Sequence, residues 1–258
     1  MATLAEPVRV PARDDTRFFL TMAIVMALTI AAGFSLQLAM GRSSFGAPIH
    51  VHVHALVFFG WTMLYVAQNA LAASGSIALH RRLGWLGAAW MTVMLVVGIY
   101  TTVLMVQRGA APFFFQPAYF LVMNSLSVLA FFGLGVAAIL LRRRTDWHRR
   151  LHYCGMSVLT GPAFGRLLPM PLLIPWAGWV VFAATLIFPL IGIAADRRRT
   201  GSVHPAWWWG LGAMVAMQLA IVLIGESSLG VALYDLAVAG TPGAALAPLA
   251  YPPFPPLP

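Results

Sequence analysis

Pro48-Ile-His-Val-His-Val-His-Ala-Leu-Val-Phe-Phe-Gly-Trp-Thr-Met-Leu-Tyr-Val-Ala-Gln-Asn69 sets three histidines at the start of an apolar run and follows them with aromatic and amide side chains at helical intervals. At about 100° per residue, His50, His54, Phe58, Trp61, Tyr65 and Gln68 share one helical face, and His52 points roughly the opposite way. Hydrocarbon penalises such polar groups, so this face must look into a bundle or a wet cavity. The stretch therefore reads as a central membrane span.

The rest of the chain agrees with that reading. Of 258 residues, 60% are hydrophobic and 9% charged, which places the chain among all-α, polytopic helical membrane bundles and leaves no soluble domain of useful size. Apolar runs long enough to cross about 30 Å of hydrocarbon fall at 18–40, 51–73, 85–106, 118–141, 151–168, 176–195 and 206–224. The expected organisation is an N-terminal segment over 1–17, a seven-span membrane domain over 18–224, and an outward Pro-rich tail over 225–258. The first run exceeds the apolar core of about 7–15 residues found in cleaved signal peptides, so it reads as a retained helix. The tail, ending Tyr251-Pro-Pro-Phe-Pro-Pro-Leu-Pro258, reads as extended chain with a short interfacial helix around 229–238.

A net charge of +9 in a chain without lysine would suit a nucleic-acid binder, but the arginines sit in short loops. Thirteen of the sixteen fall in alternate segments: Arg9, Arg13 and Arg17; Arg81 and Arg82; Arg142, Arg143, Arg144, Arg149 and Arg150; Arg197, Arg198 and Arg199. Only Arg42, Arg108 and Arg166 fall in the others. This asymmetry is a topology signal that excludes a nucleic-acid footprint and puts the N-terminus in the cytoplasm and the C-terminus in the periplasm of a bacterial inner membrane. His50, His52 and His54 then face outward, and His80, His148, His152 and His204 lie at the cytoplasmic side. The single Cys154 excludes a disulfide framework and reads as a small apolar filler.

Two features shape the expected core. Gly161-Pro162 interrupts the fifth span, and His152, Gly155, Leu159, Pro162 and Arg166 share one of its faces. Gly161-x-x-x-Gly165 adds a small-residue packing signal. His80-Arg-Arg-Leu and His148-Arg-Arg-Leu open the third and fifth spans, and Phe58-Phe-Gly60 recurs as Phe131-Phe-Gly133. A tandem helical hairpin, with spans 2–3 related to spans 4–5, would give a four-helix core.

Neutral imidazole ligates haem iron, copper and zinc, so seven histidines in such a chain invite a cofactor. At the outer mouth, His54 can pair with a methionine such as Met40, Met105, Met123 or Met170, or join His50 and a methionine on copper. At the inner side, His80, His148 and His152 can meet, and Gly84, Gly87 and Gly98 with Met91 and Met94 form a soft face that admits a flat ring or another helix. The competing reading makes these histidines interfacial anchors. Trp61, Tyr65, Gln68 and Asn69 suit either a quinone headgroup or ordinary bundle packing. Arg166 needs water or an anion nearby, or snorkels to the headgroups.

The His-x-His start, Trp61-x-x-x-Tyr65-x-x-Gln68, His80-Arg-Arg-Leu-Gly84, and Trp147-His148-Arg-Arg-Leu through Gly161-Pro-Ala-x-x-Arg166 together resemble an uncharacterised family of multi-span bacterial membrane proteins, a domain of unknown function. The resemblance covers about His50 to Arg166. It implies a compact helical bundle with histidines near both membrane faces and no particular activity. More weakly, His54-Ala-Leu-Val-Phe-Phe-Gly-Trp61 resembles a histidine-bearing helix of nitric oxide reductases and related haem-and-copper membrane proteins.

The sequence thus points first to a haem- or metal-binding membrane protein linked to respiratory or redox function, with haem b or copper as the cofactor. The competing classes are a structural or assembly subunit that binds a membrane-protein partner or itself, and a small-solute transporter, for which no acidic residue stands inside the spans. The topology is directly testable: a C-terminal alkaline phosphatase fusion should be active and a C-terminal green fluorescent fusion dark, and two inside termini would refute seven spans.

Overall fold

A computed structural model describes residues 13–254, so most of the N-terminal segment and the last four residues of the tail lie outside the described residues. The long helices are α1 (Arg13–Ala39), α2 (Ile49–Ala73), α3 (Ile77–Gln107), α4 (Pro117–Leu140), α7 (Ala177–Thr200) and α8 (Pro205–Gly225), with α5 (Thr145–Val158) and α6 (Gly161–Leu167) between α4 and α7 and α9 (Ser228–Val238) after α8. Six of these helices are long and apolar enough to cross a membrane. The chain is therefore an all-helical, multi-pass membrane bundle, with large apolar side chains such as Leu28, Leu56, Val96 and Leu223 exposed to the surrounding lipid.

The shorter α5 and α6 together run the length of α1. At one end Arg149 of α5 pairs with Asp15 at the start of α1. At the other, Gln37 near the end of α1 donates through Nε2 to the Arg166 carbonyl of α6 at 3.0 Å. The break falls where the sequence places it: Pro162 has no N–H for the Val158 carbonyl, and the chain restarts as α6 with Pro162 in its first turn. A second proline, Pro189 inside α7, leaves the Thr185 carbonyl without its helical donor. Ser157 of α5 supplies the missing bond, its Oγ donating to Thr185 O at 2.6 Å.

Two helices begin well before their apolar runs. α3 starts at Ile77, so His80, Arg81 and Arg82 are helical, and α5 starts at Thr145, which brings Arg149 and Arg150 into the helix. Arg81 and Arg82 are exposed, but Arg150 is only 4% exposed, so the reading of Arg149 and Arg150 as loop charges does not hold.

The expected four-helix core acquires a fifth member. α2 packs on α3, α3 on α4 and α4 on α5, and α1 closes the ring by packing on both α2 and α6. The α1–α6 contact is backbone to backbone, because a Cβ on Gly33 would sit 2.8 Å from the Ala163 carbonyl oxygen. The Gly161-x-x-x-Gly165 spacing does not mark this crossing: Gly161 faces Val181 and Thr185, and Gly165 faces open space. α8 lies outside the ring against α4 and α5, with Gly210 receiving Cys154. The tail does not run free, since Pro248 O accepts from Ala118 N at 3.0 Å and Phe254 packs on Phe113.

One polar cluster ties the helices at the arginine-rich end. Arg150 of α5 grips Asp196 of α7 with Nε and Nη2, both at 2.8 Å, and the Trp207 indole of α8 donates to the same carboxylate at 2.8 Å. Arg199 bridges Asp196 to Asp15 of α1, and Arg149 joins Asp15 to Asp146. Asp196, 1% exposed, corrects the expectation that no buried acid accompanies the spans, but its charge is already matched. Removing one member of a buried pair strands the other charge. Asp196→Ala should cost about 3–5 kcal/mol, whereas replacing Arg150 and Asp196 together by apolar residues of similar volume should cost less. Thermal unfolding of both variants in detergent measures the difference.

Candidate functional site

The ring brings the inner histidines together. His80 begins α3 and His148 begins α5, each one turn into its helix, so both stand at the arginine-rich end. His80 Nδ1 lies 3.3 Å from Gln68 O of α2, and His148 Nδ1 lies 2.8 Å from Ala138 O of α4. Each histidine thus leans on a carbonyl near the end of the preceding helix, the same device in both hairpins. As an Nδ1–H donor, each ring leaves Nε2 unprotonated.

The two rings are 6.3 Å apart, centre to centre, and perpendicular. His152, one turn along α5, lies 4.8 Å from His148. Two metal–nitrogen bonds of about 2 Å, with the distance from each nitrogen to its ring centre, put imidazoles that share one ion roughly 6 Å apart. The His80–His148 ring separation is of that order. A closed three-ligand cage is another matter: among the described residues no group of three His, Cys, Asp or Glu could hold a metal ion.

The flanks of this pair are low. A Cβ on Gly135 of α4 would meet the Met91 thioether and stand 3.9 Å from His152 Cε1, and one on Gly84 of α3 would meet only Gln68 Nε2, at 3.8 Å. Farther along α3, the glycines receive α2 side chains. Gly87 faces Leu64 and Trp61, and Gly98 faces the Phe58 ring. Of the two approaches expected for this soft face, a helix makes the contact, and Met91 and Met94 are fully buried behind it.

Above the histidines, the predicted face of α2 does turn inward, with Trp61 and Tyr65 buried. Trp61 meets Phe131 edge to face at 5.2 Å. Among the described residues, three polar atoms along this face are buried without a hydrogen-bond partner: His54 Nδ1, Trp61 Nε1 and Gln68 Oε1, on residues spaced seven apart. Thr101 Oγ1 of α3 is in the same condition. Asn69 differs, its Nδ2 donating to the Tyr65 carbonyl of its own helix at 2.9 Å. Leaving such groups unsatisfied costs about 1–3 kcal/mol each, so a run of them along one face marks a place for polar ligand atoms or water.

At the start of α2, away from the arginine-rich end, the three histidines separate. His52 turns its Nε2 to Phe45 O at 3.1 Å in the preceding loop. His54 stacks on Phe58, with ring centres 4.2 Å apart, and its charged neighbour is Arg166. Arg166 spreads its guanidinium over Phe34 of α1 at 4.0 Å and donates to Pro162 O at 2.8 Å. It thereby seals the α1–α6 seam. Among the described residues, His50 and His54 make no hydrogen bond to each other.

Thr101 escaped the sequence reading, although its place one turn beyond Gly98 on the Met94 face was a signal available there. Gly135 escaped it too, because nothing local distinguishes it from Gly133, which faces open space. Compared with protein-family models, with curated proteins and with solved structures, the chain matches none. The geometry alone carries the functional reading.

Proposed function

We propose that the chain is an integral membrane protein that holds a b-type haem at the cytoplasmic end of the bundle and serves redox chemistry in the bacterial inner membrane. The observation that carries this reading is the His80–His148 pair, two imidazoles from two hairpins at one depth, each braced at Nδ1 and spaced for a shared metal. Haem would supply one-electron chemistry there, and the chain would supply the axial pair and its surroundings. The charges of Arg81 and Arg142 reach His80 and His148 respectively, which suits the carboxylates that a haem carries. Gly135 admits the Met91 thioether beside His152, and Gly84 leaves room next to the Gln68 amide. His152 stands behind His148 as a neighbour that tunes it. The motifs that resemble an uncharacterised bacterial membrane family fall on these same residues.

The orientation proposed with this function has the arginine-rich end in the cytoplasm, following the positive-inside rule. His54, Trp61, Tyr65 and Gln68 then line the interior between the haem and the outer surface, with Arg166 closing the outer seam.

Reduced-minus-oxidised optical spectra of the detergent-purified protein, with metal analysis, test the proposal. The parent protein should show a b-type band with about one iron per chain. His80→Ala and His148→Ala should each abolish it, and His52→Ala, on the outward loop contact, should leave it intact. His152→Ala should keep the haem and shift its midpoint potential. A parent protein without haem or metal would transfer the case to a structural or assembly subunit, and copper or zinc without haem would replace the cofactor.

A further inference from the structure

The same arginine-rich end carries a second feature, on the outside of the ring. α1 packs on α2, α5 and α6, and α7 packs on α5, α6 and α8, which leaves a cleft between α1 and α7 of about 610 Å³. Its mouth and its depth differ in chemistry. Arg17 of α1 and Arg198 of α7 stand at the mouth, both exposed. Because α1 starts and α7 ends at this surface, Thr21 lies one turn deeper than Arg17, and Ala194 and Ile191 lie one and two turns deeper than Arg198. The cleft thus passes from two cations into a largely apolar trough that faces the hydrocarbon.

The cations differ from their neighbours in availability. Arg149, Arg150 and Arg199 are committed to Asp15, Asp146 and Asp196. Arg199 also lies over the Phe18 ring at 4.7 Å, forming part of the cleft wall. Arg17 and Arg198 have no hydrogen bond or ion pair among the described residues, and Asp15 and Asp196, the acids of the neighbouring network, are held by Arg149, Arg150 and Arg199. Two unmatched guanidiniums on separate helices, above an apolar trough, complement an anion with a hydrocarbon tail.

We propose that this cleft binds an anionic phospholipid, with the phosphodiester between Arg17 and Arg198 and one acyl chain along Thr21, Ala194 and Ile191. The trough decides for a lipid over free phosphate, since a soluble anion would gain nothing from the apolar walls. The bound lipid would cover the open seam between α1 and α7 and lend the ion network above it a dry boundary.

Native mass spectrometry of the delipidated protein in detergent, titrated with phosphatidylglycerol or with phosphatidylcholine of the same chains, tests the site. The parent should retain one phosphatidylglycerol in preference to phosphatidylcholine. Arg17→Gln with Arg198→Gln should weaken retention about thirtyfold, which is about 2 kcal/mol at 1.4 kcal/mol per tenfold. Ala194→Trp, which fills the trough and leaves both charges, should also displace the lipid. Arg82→Gln with Arg143→Gln, exposed cations of the arginine-rich segments outside the cleft, should leave retention unchanged. Equal retention of the two lipids, an equal loss in the Arg82 and Arg143 variant, full retention in Ala194→Trp, or competition by inorganic phosphate alone would each overturn the proposal. Circular dichroism and thermal unfolding of each variant separate loss of the site from loss of the fold.

Discussion

Two prolines and one aspartate decide how the helices of this bundle can sit, because in hydrocarbon every polar group must find its partner inside the protein. Asp196 is the most demanding of them. A carboxylate buried at the end of α7 tolerates only a position within reach of Arg150 and Trp207, and that requirement fixes α5, α7 and α8 relative to one another. Arg199 and Arg149 extend the constraint to Asp15 and hence to α1. Farther along α7 the Thr185 carbonyl freed by Pro189 adds a second tie, from Ser157 of α5. The apolar surfaces alone would let these helices slide and rotate against each other, since lipid solvates them as well as a neighbouring helix does.

α5 carries the consequence. Its residues Asp146, Arg149, Arg150 and Tyr153 occupy one side, and His148 and His152 occupy another. With the first side pinned to α1, α7 and α8, the helix cannot rotate, and the histidines are aimed at α3 and α4. The placement of His148 against His80 is therefore a result of ion pairs on the opposite side of the helix. It also explains why α5 is polar on two faces and yet buried: one face meets acids and the other meets a carbonyl and imidazoles.

Much of the fold was legible because hydropathy reports the lipid-crossing part of each helix. The observed ends of α2, α4 and α8 lie within two residues of the apolar runs, and the break near Gly161-Pro162 follows from the missing N–H of Pro162. The starts of α3 and α5 were misplaced for the same reason. Both helices project past the hydrocarbon, where histidine and arginine carry the helix on, and an apolar window does not register them. The arginines show a deeper limit. His80-Arg-Arg-Leu and His148-Arg-Arg-Leu are identical over four residues, yet Arg81 and Arg82 are exposed and Arg150 is buried. The difference lies in Asp15 and Asp196, more than forty positions away in the chain, and no local pattern contains them. What the two segments share is the histidine with its carbonyl on the preceding helix, because that contact is made between helices adjacent in the chain.

The inward face of α2 was also legible, and the structure adds what a helical wheel cannot. His54, Trp61 and Gln68 span fourteen residues, or about 21 Å of helix, which is most of the hydrocarbon thickness. Periodicity could say that these side chains share a face; it could not say whether neighbouring helices satisfy them. Asn69 and Trp90 show that satisfaction was available by main-chain carbonyls, through Tyr65 O and Val57 O. The three stripe residues instead each keep a buried polar atom without a protein partner. Ordinary packing selects against that, at about 1–3 kcal/mol per group, and simple apolar residues of similar size would have removed the cost. The stripe therefore separates this face from the rest of the bundle's interior, where Met91, Met94, Met156 and Met214 fill space without any polar demand. It runs from His54 to Gln68, whose carbonyl lies 3.3 Å from His80 Nδ1, so the polar atoms that lack partners reach the level of the His80–His148 pair inside the ring.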